Sequence, residues 1–127
     1  MIEKHNETLM VEKKIHLLNT LKEVGNFAGV IFAKRNGELI HQNVQEKFDM
    51  SGFASMCASV LESAIGLGMN LGSQKIIKII ADFNEVSILF AEVSKDSFVI
   101  FILNEESNAS YVLDKWEQTL EDLRSSN

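Results

Sequence analysis

The stretch from Met50 to Gly72 constrains the fold most, because it is long, apolar and rich in small residues. It contains no lysine or arginine, and Glu62 is its only charged residue. Apolar or small side chains recur at helical spacing, which predicts a helix with two adjacent stripes. The first stripe comprises Phe53, Cys57, Val60, Ala64, Leu67 and Leu71, and the second comprises Ala54, Ala58, Leu61, Ile65 and Gly68.

Together the two stripes cover roughly half of the helix circumference, which is wider than the stripe of an ordinary surface helix. We therefore expect this helix to pack against two partners, the chain's own sheet and a second subunit. The alternative is a single deeply buried helix in a monomer. The second stripe is rich in alanine and glycine, which lets another backbone approach closely.

Composition bounds the class of protein. The chain has 127 residues, enough for one domain with a substantial core. Its net charge of −6 argues against nucleic acid as the main partner, because phosphate binding needs clustered basic residues.

The single Cys57 fits a reducing compartment. The charged N-terminus is unlike a signal peptide, and Glu62 with several serines disfavours membrane insertion of the central stretch, so we expect a cytoplasmic protein.

The rest of the chain alternates helix and strand patterns. A helix is predicted from about Thr8 to Gly25, followed by a hairpin whose Asn36-Gly37 pair favours a type I′ turn. We expect Asp49 or Ser51 to cap the central helix, and Ser107 or Asn108 to cap a last helix. The predicted strands are Phe27–Lys34, Glu38–Asn43, Lys75–Ala81, Val86–Val93 and Ser97–Leu103.

The predicted order is α-β-β-α-β-β-β-α. The fold class is therefore α/β in the broad sense (α+β), a three-layer sandwich built on a five-stranded antiparallel sheet. The central helix covers one face of the sheet and the two terminal helices cover the other, because the last strands are almost continuously apolar.

This order, together with particular residues, resembles the roadblock family, small proteins named for a dynein light chain. The family includes regulators of Ras-like GTPases in bacteria and archaea and scaffold subunits at lysosomes. The resemblance spans about Thr8 to Leu123, as one roadblock-like domain over residues 1–127. It is carried by Gly29–Ala33, Asn36–Ile40, the small-residue helix Phe53–Leu71, the apolar strand after Gly72 and the helix start near Asn108.

The resemblance implies a symmetric dimer in which the strand after the central helix pairs with its copy and the two central helices lie side by side. The strand seam would then fall at Gln74–Ala81. The dimer-interface residues predicted on this basis are Ala54, Ala58, Leu61, Ile65, Gly68, Ile77 and Ile79.

The function that the resemblance implies is a non-enzymatic regulatory or scaffold protein that binds a small Ras-like GTPase. The expected partners are a second copy or another roadblock-like chain, together with the GTPase. A polar helix face with little charge suits a protein partner, and we predict docking at Ser55, Ser59, Glu62, Ser63 and Met69. Two alternatives stay open: a scaffold subunit that pairs with another roadblock-like chain without a GTPase, and a profilin-like or PAS-like sensor of small molecules.

No pattern predicts catalysis, a metal site or a cofactor. His5, His16 and His41 lack metal-ligand spacing, and Cys57 lacks the setting of a nucleophile. The glycines after residue 65 lack the Lys-Ser/Thr of a phosphate loop. Arg35 lies at the hairpin tip, where an arginine finger could be presented, but the resemblance does not support that role.

Overall fold

The computed structural model describes residues 2–125, with side chains described from residue 7 onward. The helices are α1 (Ile2–Gly25), α2 (Phe53–Asn70), α3 (Ser110–Leu113) and α4 (Trp116–Arg124). The strands are β1 (Gly29–Lys34), β2 (Leu39–Val44), β3 (Ile79–Asp82), β4 (Val86–Ser94) and β5 (Ser97–Asn104).

The five strands form one antiparallel sheet in the order β2-β1-β5-β4-β3. Successive side chains of a strand point to opposite faces, so β5 divides its apolar residues between two cores. Val99, Phe101 and Leu103 belong to the core under α1, α3 and α4. The alternate residues, Phe98, Ile100 and Ile102, belong to the core under α2. The predicted three-layer sandwich and its distribution of helices are therefore confirmed.

Three predicted helix boundaries differ from the structure. Helix α1 begins at Ile2 instead of near Thr8, and the last helix is divided into α3 and α4 by Lys115, whose backbone is not helical. No side chain caps α2, because Gly52 occupies the N-cap position with a positive φ of 70°. The Asp49 carboxylate accepts the Ser51 N–H in the turn before the helix.

The third strand is much shorter than the predicted Lys75–Ala81. Residues 75–78 are not paired with β4, because groups from α4 bind in their place. The Trp116 Nε1–H donates to the Ile77 carbonyl at 3.3 Å, and Arg124 Nη2 donates to the Glu92 carbonyl of β4 at 2.8 Å. The side chains of α4 thus hold the segment before β3 apart from the sheet.

The β1–β2 hairpin is present, but its turn is not type I′. Gly37 has φ of 93°, whereas Asn36 is not in the positive-φ region. The Gly37 N–H donates to the Lys34 carbonyl, and Lys34 N–H donates to the Glu38 carbonyl. This is the three-residue loop in which a type I turn is followed by a left-handed glycine. A Cβ on Gly37 would lie 2.5 Å from Ser55 Oγ, so only glycine lets the hairpin tip contact α2 this closely.

Candidate protein-docking surfaces

The β3 edge of the sheet is short, apolar and uncovered. Within the described residues no further strand lies beyond β3. Ile77 and Phe83 are each 63% exposed and Ile80 is 48% exposed. The Phe83 N–H donates inward to the Val86 carbonyl, and backbone groups of a strand alternate between its two neighbours. The N–H and C=O groups of Lys78, Ile80 and Asp82 therefore point to the open side, where another strand could bind.

The outer side of α2 adds a second apolar surface. Met56, Val60 and Leu67 are exposed and recur at helical spacing, so they lie on one side of the helix. Isolated exposed apolar residues are common on proteins, but a stripe of them along one side of a helix is typical of an interaction surface.

Three residues of the predicted interface stripe on α2 face the chain's own sheet. Ala54, Ala58 and Leu61 are at most 6% exposed and pack with strand residues such as Phe98 and Ile100. Small side chains are needed on this face because the sheet contributes large ones, and the helix backbone must come close to fill the space between them. Ala54, Ala58 and Leu61 are thus already buried within the single chain, and their part in a dimer interface stays a prediction.

The other predicted interface residues divide between core and surface. Ile65 on α2 and Ile79 on β3 are partly buried, and both pack against the core between α2 and the sheet. A Cβ on Gly68 would lie 2.3 Å from the Gln74 carbonyl oxygen, so this glycine lets the chain turn back after the helix. Ile77 alone of the seven is largely exposed.

The predicted docking residues are all exposed, and the structure brings three of them together. Ser55, Ser59 and Glu62 line a shallow depression of about 410 Å³ beside the β1–β2 hairpin. Ser63 is also exposed on α2. Met69 lies apart, in a groove of about 790 Å³ between the segment Ser73–Ile77 and α4. Their exposure fits a docking role, which stays a prediction.

Arg35 is engaged in ion pairs within the chain. Its Nη1 lies 2.5 Å from Glu92 Oε2 on β4, and its Nη2 binds Glu62 Oε1 on α2. Nη1 also donates to the Lys95 carbonyl at 3.3 Å, and the backbone N–H donates to the Asp96 carbonyl. The guanidinium thus connects α2 to the β4–β5 turn instead of projecting from the hairpin tip.

The residues considered for chemistry occupy structural positions. Cys57 is buried under α2, and burial raises the pKa of its thiol to about 11. His41 Nε2 lies 3.0 Å from Asn19 Oδ1, His16 is exposed, and His5 lies outside the described side chains. Among the described side chains, from residue 7 to residue 125, no His, Cys, Asp or Glu residues gather in a group that could hold a metal ion. None of the helices described is long and apolar enough to cross a membrane.

One surface was missed by the sequence reasoning. A groove of about 280 Å³ lies at the β3–β4 turn, where Ile80, Phe83 and Leu113 meet three acidic residues. The signal available in the sequence was Phe83, a large apolar residue inside a turn that is otherwise polar. A phenylalanine in a polar turn indicates either packing against the domain or a contact with another molecule.

Solved structures of low sequence identity share this fold. Myxococcus xanthus MglB aligns with a TM-score of 0.79 and 18% identity, over 90% of this chain and 86% of that one. The gliding protein mglB from Thermus thermophilus aligns with a TM-score of 0.77 and 12% identity, over 91% and 88% of the two chains. A Roadblock/LC7 domain from Streptomyces avermitilis aligns with a TM-score of 0.72 and 8% identity, over 85% and 92%.

No protein-family model and no curated protein matches the chain by sequence. At such identities the structural likeness concerns the fold, and the fold is that of the roadblock proteins.

Proposed function

We propose that this roadblock-fold protein is a non-enzymatic, dimeric platform that binds a small Ras-like GTPase and biases its nucleotide cycle. The observation that carries the proposal is the open apolar edge at β3, together with the exposed apolar stripe on α2. The mechanism is conformational: a surface that binds one switch state of the GTPase more tightly raises the population of that state. The dimer forms in the reducing environment of the cytoplasm.

The charge pattern of the β3 region is complementary to itself in an antiparallel arrangement. Lys75 and Lys78 precede the strand centre, and Asp82 and Glu85 follow it. A pair of strands centred on Ile80 places Lys78 opposite Asp82 of the second copy and brings Lys75 toward Glu85 of that copy. In this register the residues that would exchange backbone hydrogen bonds are Lys78, Ile80 and Asp82. These are the residues whose backbone groups face the open side. Moving the register by two residues in either direction would break both charge pairs and place Ile80 opposite Lys78 or opposite Asp82.

The register is tested by reversing one charge and then its partner. Lys78→Asp and Asp82→Lys each place like charges opposite one another at two symmetric positions, so we expect the dimer dissociation constant to rise about tenfold or more. The double variant restores opposite charges and should return toward the wild-type value. Sedimentation velocity over a concentration series gives these constants.

If the double variant dissociates as readily as the single variants, this register is contradicted. A wild type that stays monomeric at concentrations on the order of tens of micromolar would contradict the homodimer itself. The scaffold alternative, pairing with a different roadblock-like chain at the same open edge, would then be the better account.

The GTPase surface that we propose is the exposed polar side of α2. Ser55, Ser59 and Ser63 are small and uncharged, and Glu62 is the one acidic group beside them. Its charge is partly offset by Arg35, so covering this surface costs less in desolvation than covering an unpaired carboxylate. Met69, near the C-terminal end of the helix, supplies an adaptable apolar contact.

Binding is tested with purified Ras-like GTPases in the GDP state and in the GTP-analogue state. The Ser59→Arg, Ser63→Arg double variant adds bulk and charge to the proposed surface, and we expect it to weaken binding at least tenfold. The Ser110→Arg, Ser125→Arg double variant makes the same two changes at exposed residues away from α2 and should leave binding unchanged. If both variants weaken GTPase binding equally, docking on α2 is contradicted. If the wild type binds no GTPase in either nucleotide state, the GTPase partner is contradicted.

A further inference from the structure

The groove at the β3–β4 turn, which we call the turn groove, lies on the sheet face that carries the terminal helices. Ile80 pairs with Leu89, and Leu89 belongs to the core under α1, α3 and α4. The apolar part of the groove is formed by Ile80, Phe83, Leu89, Leu103, Ala109 and Leu113. Its volume of about 280 Å³ is small for a drug-sized ligand but sufficient for one or two large side chains.

The groove presents apolar side chains that the chain itself does not cover. Phe83 is the most exposed of them, and it follows β3 directly. Its backbone N–H donates to the Val86 carbonyl at 2.8 Å, so the hairpin determines the position of the residue. Leu113, at the end of α3, borders the groove from the helix layer. A partner side chain inserted here would therefore meet a preformed surface.

The polar rim of the groove is acidic, and among the described residues no basic side chain of the same chain lines it. Asp82, Glu85 and Glu105 line the groove. Asp82 accepts a hydrogen bond from Ser87 Oγ at 2.6 Å. Within the described residues Glu85 and Glu105 form no ion pair, whereas Glu62 and Glu92 share Arg35. Three carboxylates around an apolar concavity produce a negative local potential that attracts a cation.

We propose that the turn groove binds a segment of a partner protein that has one or two large apolar residues flanked by lysine or arginine. The apolar side chains fill the space between Phe83 and Leu113, and the flanking cations pair with Glu85 and Glu105. The apolar contacts supply most of the affinity, and the charges supply attraction at a distance and select against acidic segments. The site is separate from the α2 surface proposed for the GTPase, so peptide binding and GTPase binding can fail independently. Asp82 and Glu85 also belong to the proposed β3 seam, so dimer formation is measured alongside peptide binding.

The test uses a fluorescein-labelled synthetic peptide with the core Lys-Lys-Leu-Phe-Lys-Lys, titrated into the 127-residue chain and followed by fluorescence anisotropy. Two comparison peptides replace either the lysines by glutamate or the Leu-Phe pair by alanine. We expect the first peptide to bind and each comparison peptide to bind at least tenfold more weakly. We also expect affinity for the first peptide to fall as salt is raised, because salt screens exposed charges.

Matched variants assign the binding to the groove. Glu85→Gln with Glu105→Gln should weaken binding about tenfold, since two exposed ion pairs are lost. Glu117→Gln with Glu121→Gln makes the same change of net charge on α4, at exposed residues that do not line the groove, and should leave affinity unchanged. All four positions are exposed, so the fold should be retained, as circular dichroism will check.

Amide chemical shifts provide an independent measurement of location. Peptide binding should perturb the amides of Phe83, Glu85 and Leu113 more than those of α2. Perturbations centred elsewhere, equal weakening by both pairs of variants, or equal affinity for the lysine and glutamate peptides would each overturn the proposal. The solution mass of the Glu85→Gln, Glu105→Gln variant is measured in parallel. A variant that still has the mass of a dimer but binds the peptide more weakly has lost the groove contacts and not the β3 pairing.

Discussion

The two edges of the sheet are constructed in opposite ways. At the β2 edge the strand carries His41, Gln42 and Asn43, and the side chains of His41 and Asn43 both reach Asn19 of α1 at 3.0 Å. The register between β1 and β2 is also shifted at Phe32/Ala33, as in a β-bulge. At the β3 edge the strand is only four residues long, and Ile77, Ile80 and Phe83 are exposed around it.

This difference indicates which edge is built for association. Polar side chains and bulges on an outer strand discourage pairing with another chain, whereas an open, apolar strand invites it. The β2 edge is tied to a helix of its own chain, and the β3 edge is held away from complete pairing with β4 by Trp116 and Arg124. We therefore expect the edges to respond differently to the same substitution.

The largest difference is expected for a charge placed on each edge. Ile80→Glu and Leu39→Glu alter residues with the same exposed fraction of 48%, on β3 and β2 respectively. Ile80→Glu places two carboxylates together at the centre of the proposed seam and should raise the dimer dissociation constant about a hundredfold. Leu39→Glu should leave it unchanged. Light scattering of both variants at several concentrations makes the comparison, and equal dissociation by the two would show that the edges are equivalent.

A smaller effect is expected from releasing the β2 edge. Asn19→Ala removes the oxygen that His41 and Asn43 share, and we expect the free energy of unfolding to fall by about 1–2 kcal/mol. Urea denaturation gives this value. The double variant with Asn43→Ala should lose less than the sum of the two single changes, because they remove one common hydrogen bond. Strict additivity would mean that Asn19 does not tether this strand.

A comparable or slightly smaller effect is expected where α4 holds the segment before β3. Trp116→Phe keeps an aromatic ring against Phe101 but removes the Nε1 hydrogen bond to the Ile77 carbonyl. We expect a loss of about 0.5–1.5 kcal/mol in unfolding free energy. Amide hydrogen exchange should become faster for residues 75–78 and remain slow in β5. Unchanged exchange in that segment would show that Trp116 does not restrain it.

The smallest effect is expected at Cys57, which reports whether α2 stays on the sheet when the β3 edge is altered. The thiolate is the reactive form, and a pKa of about 11 leaves roughly one molecule in a thousand ionised at pH 8. Reaction with a disulfide reagent should be slow in the wild type and equally slow in Ile80→Glu. Faster reaction in that variant would mean that the substitution disturbs the fold and not only the dimer.

The same thiol gives a pH dependence of known sign. Its pKa in the folded protein is above the ordinary value of 9.0, so unfolding releases a proton where the pH lies between those values. The contribution of Cys57 to stability is therefore complete below pH 9 and decreases as the pH rises toward 11. Cys57→Ala should show a weaker decrease over that range in parallel denaturation curves.

The layers of this fold could be predicted, whereas the surfaces could not. Alternation in β5 and helical spacing in Phe53–Asn70 are local properties, since they follow from the direction of each side chain along a regular backbone. The same spacing cannot say whether the side of α2 with Ala54 and Ala58 or the side with Val60 and Leu67 meets the sheet. In the structure the side with Ala54 and Ala58 packs against the sheet, in one core with Phe90 and Phe98.

The sequence by itself determined the order of elements, the hairpin at Gly37, the buried middle strands and the absence of basic clusters, because these depend on neighbouring residues and on composition. Only the tertiary structure decided which side of α2 stays open, that Arg35 is shared by two carboxylates, and that α4 keeps residues 75–78 from pairing with β4. It also decided that Phe83 and Leu113 border one groove. These features depend on contacts between residues far apart in the chain, and their geometry is set by packing of the whole core, which no local pattern encodes.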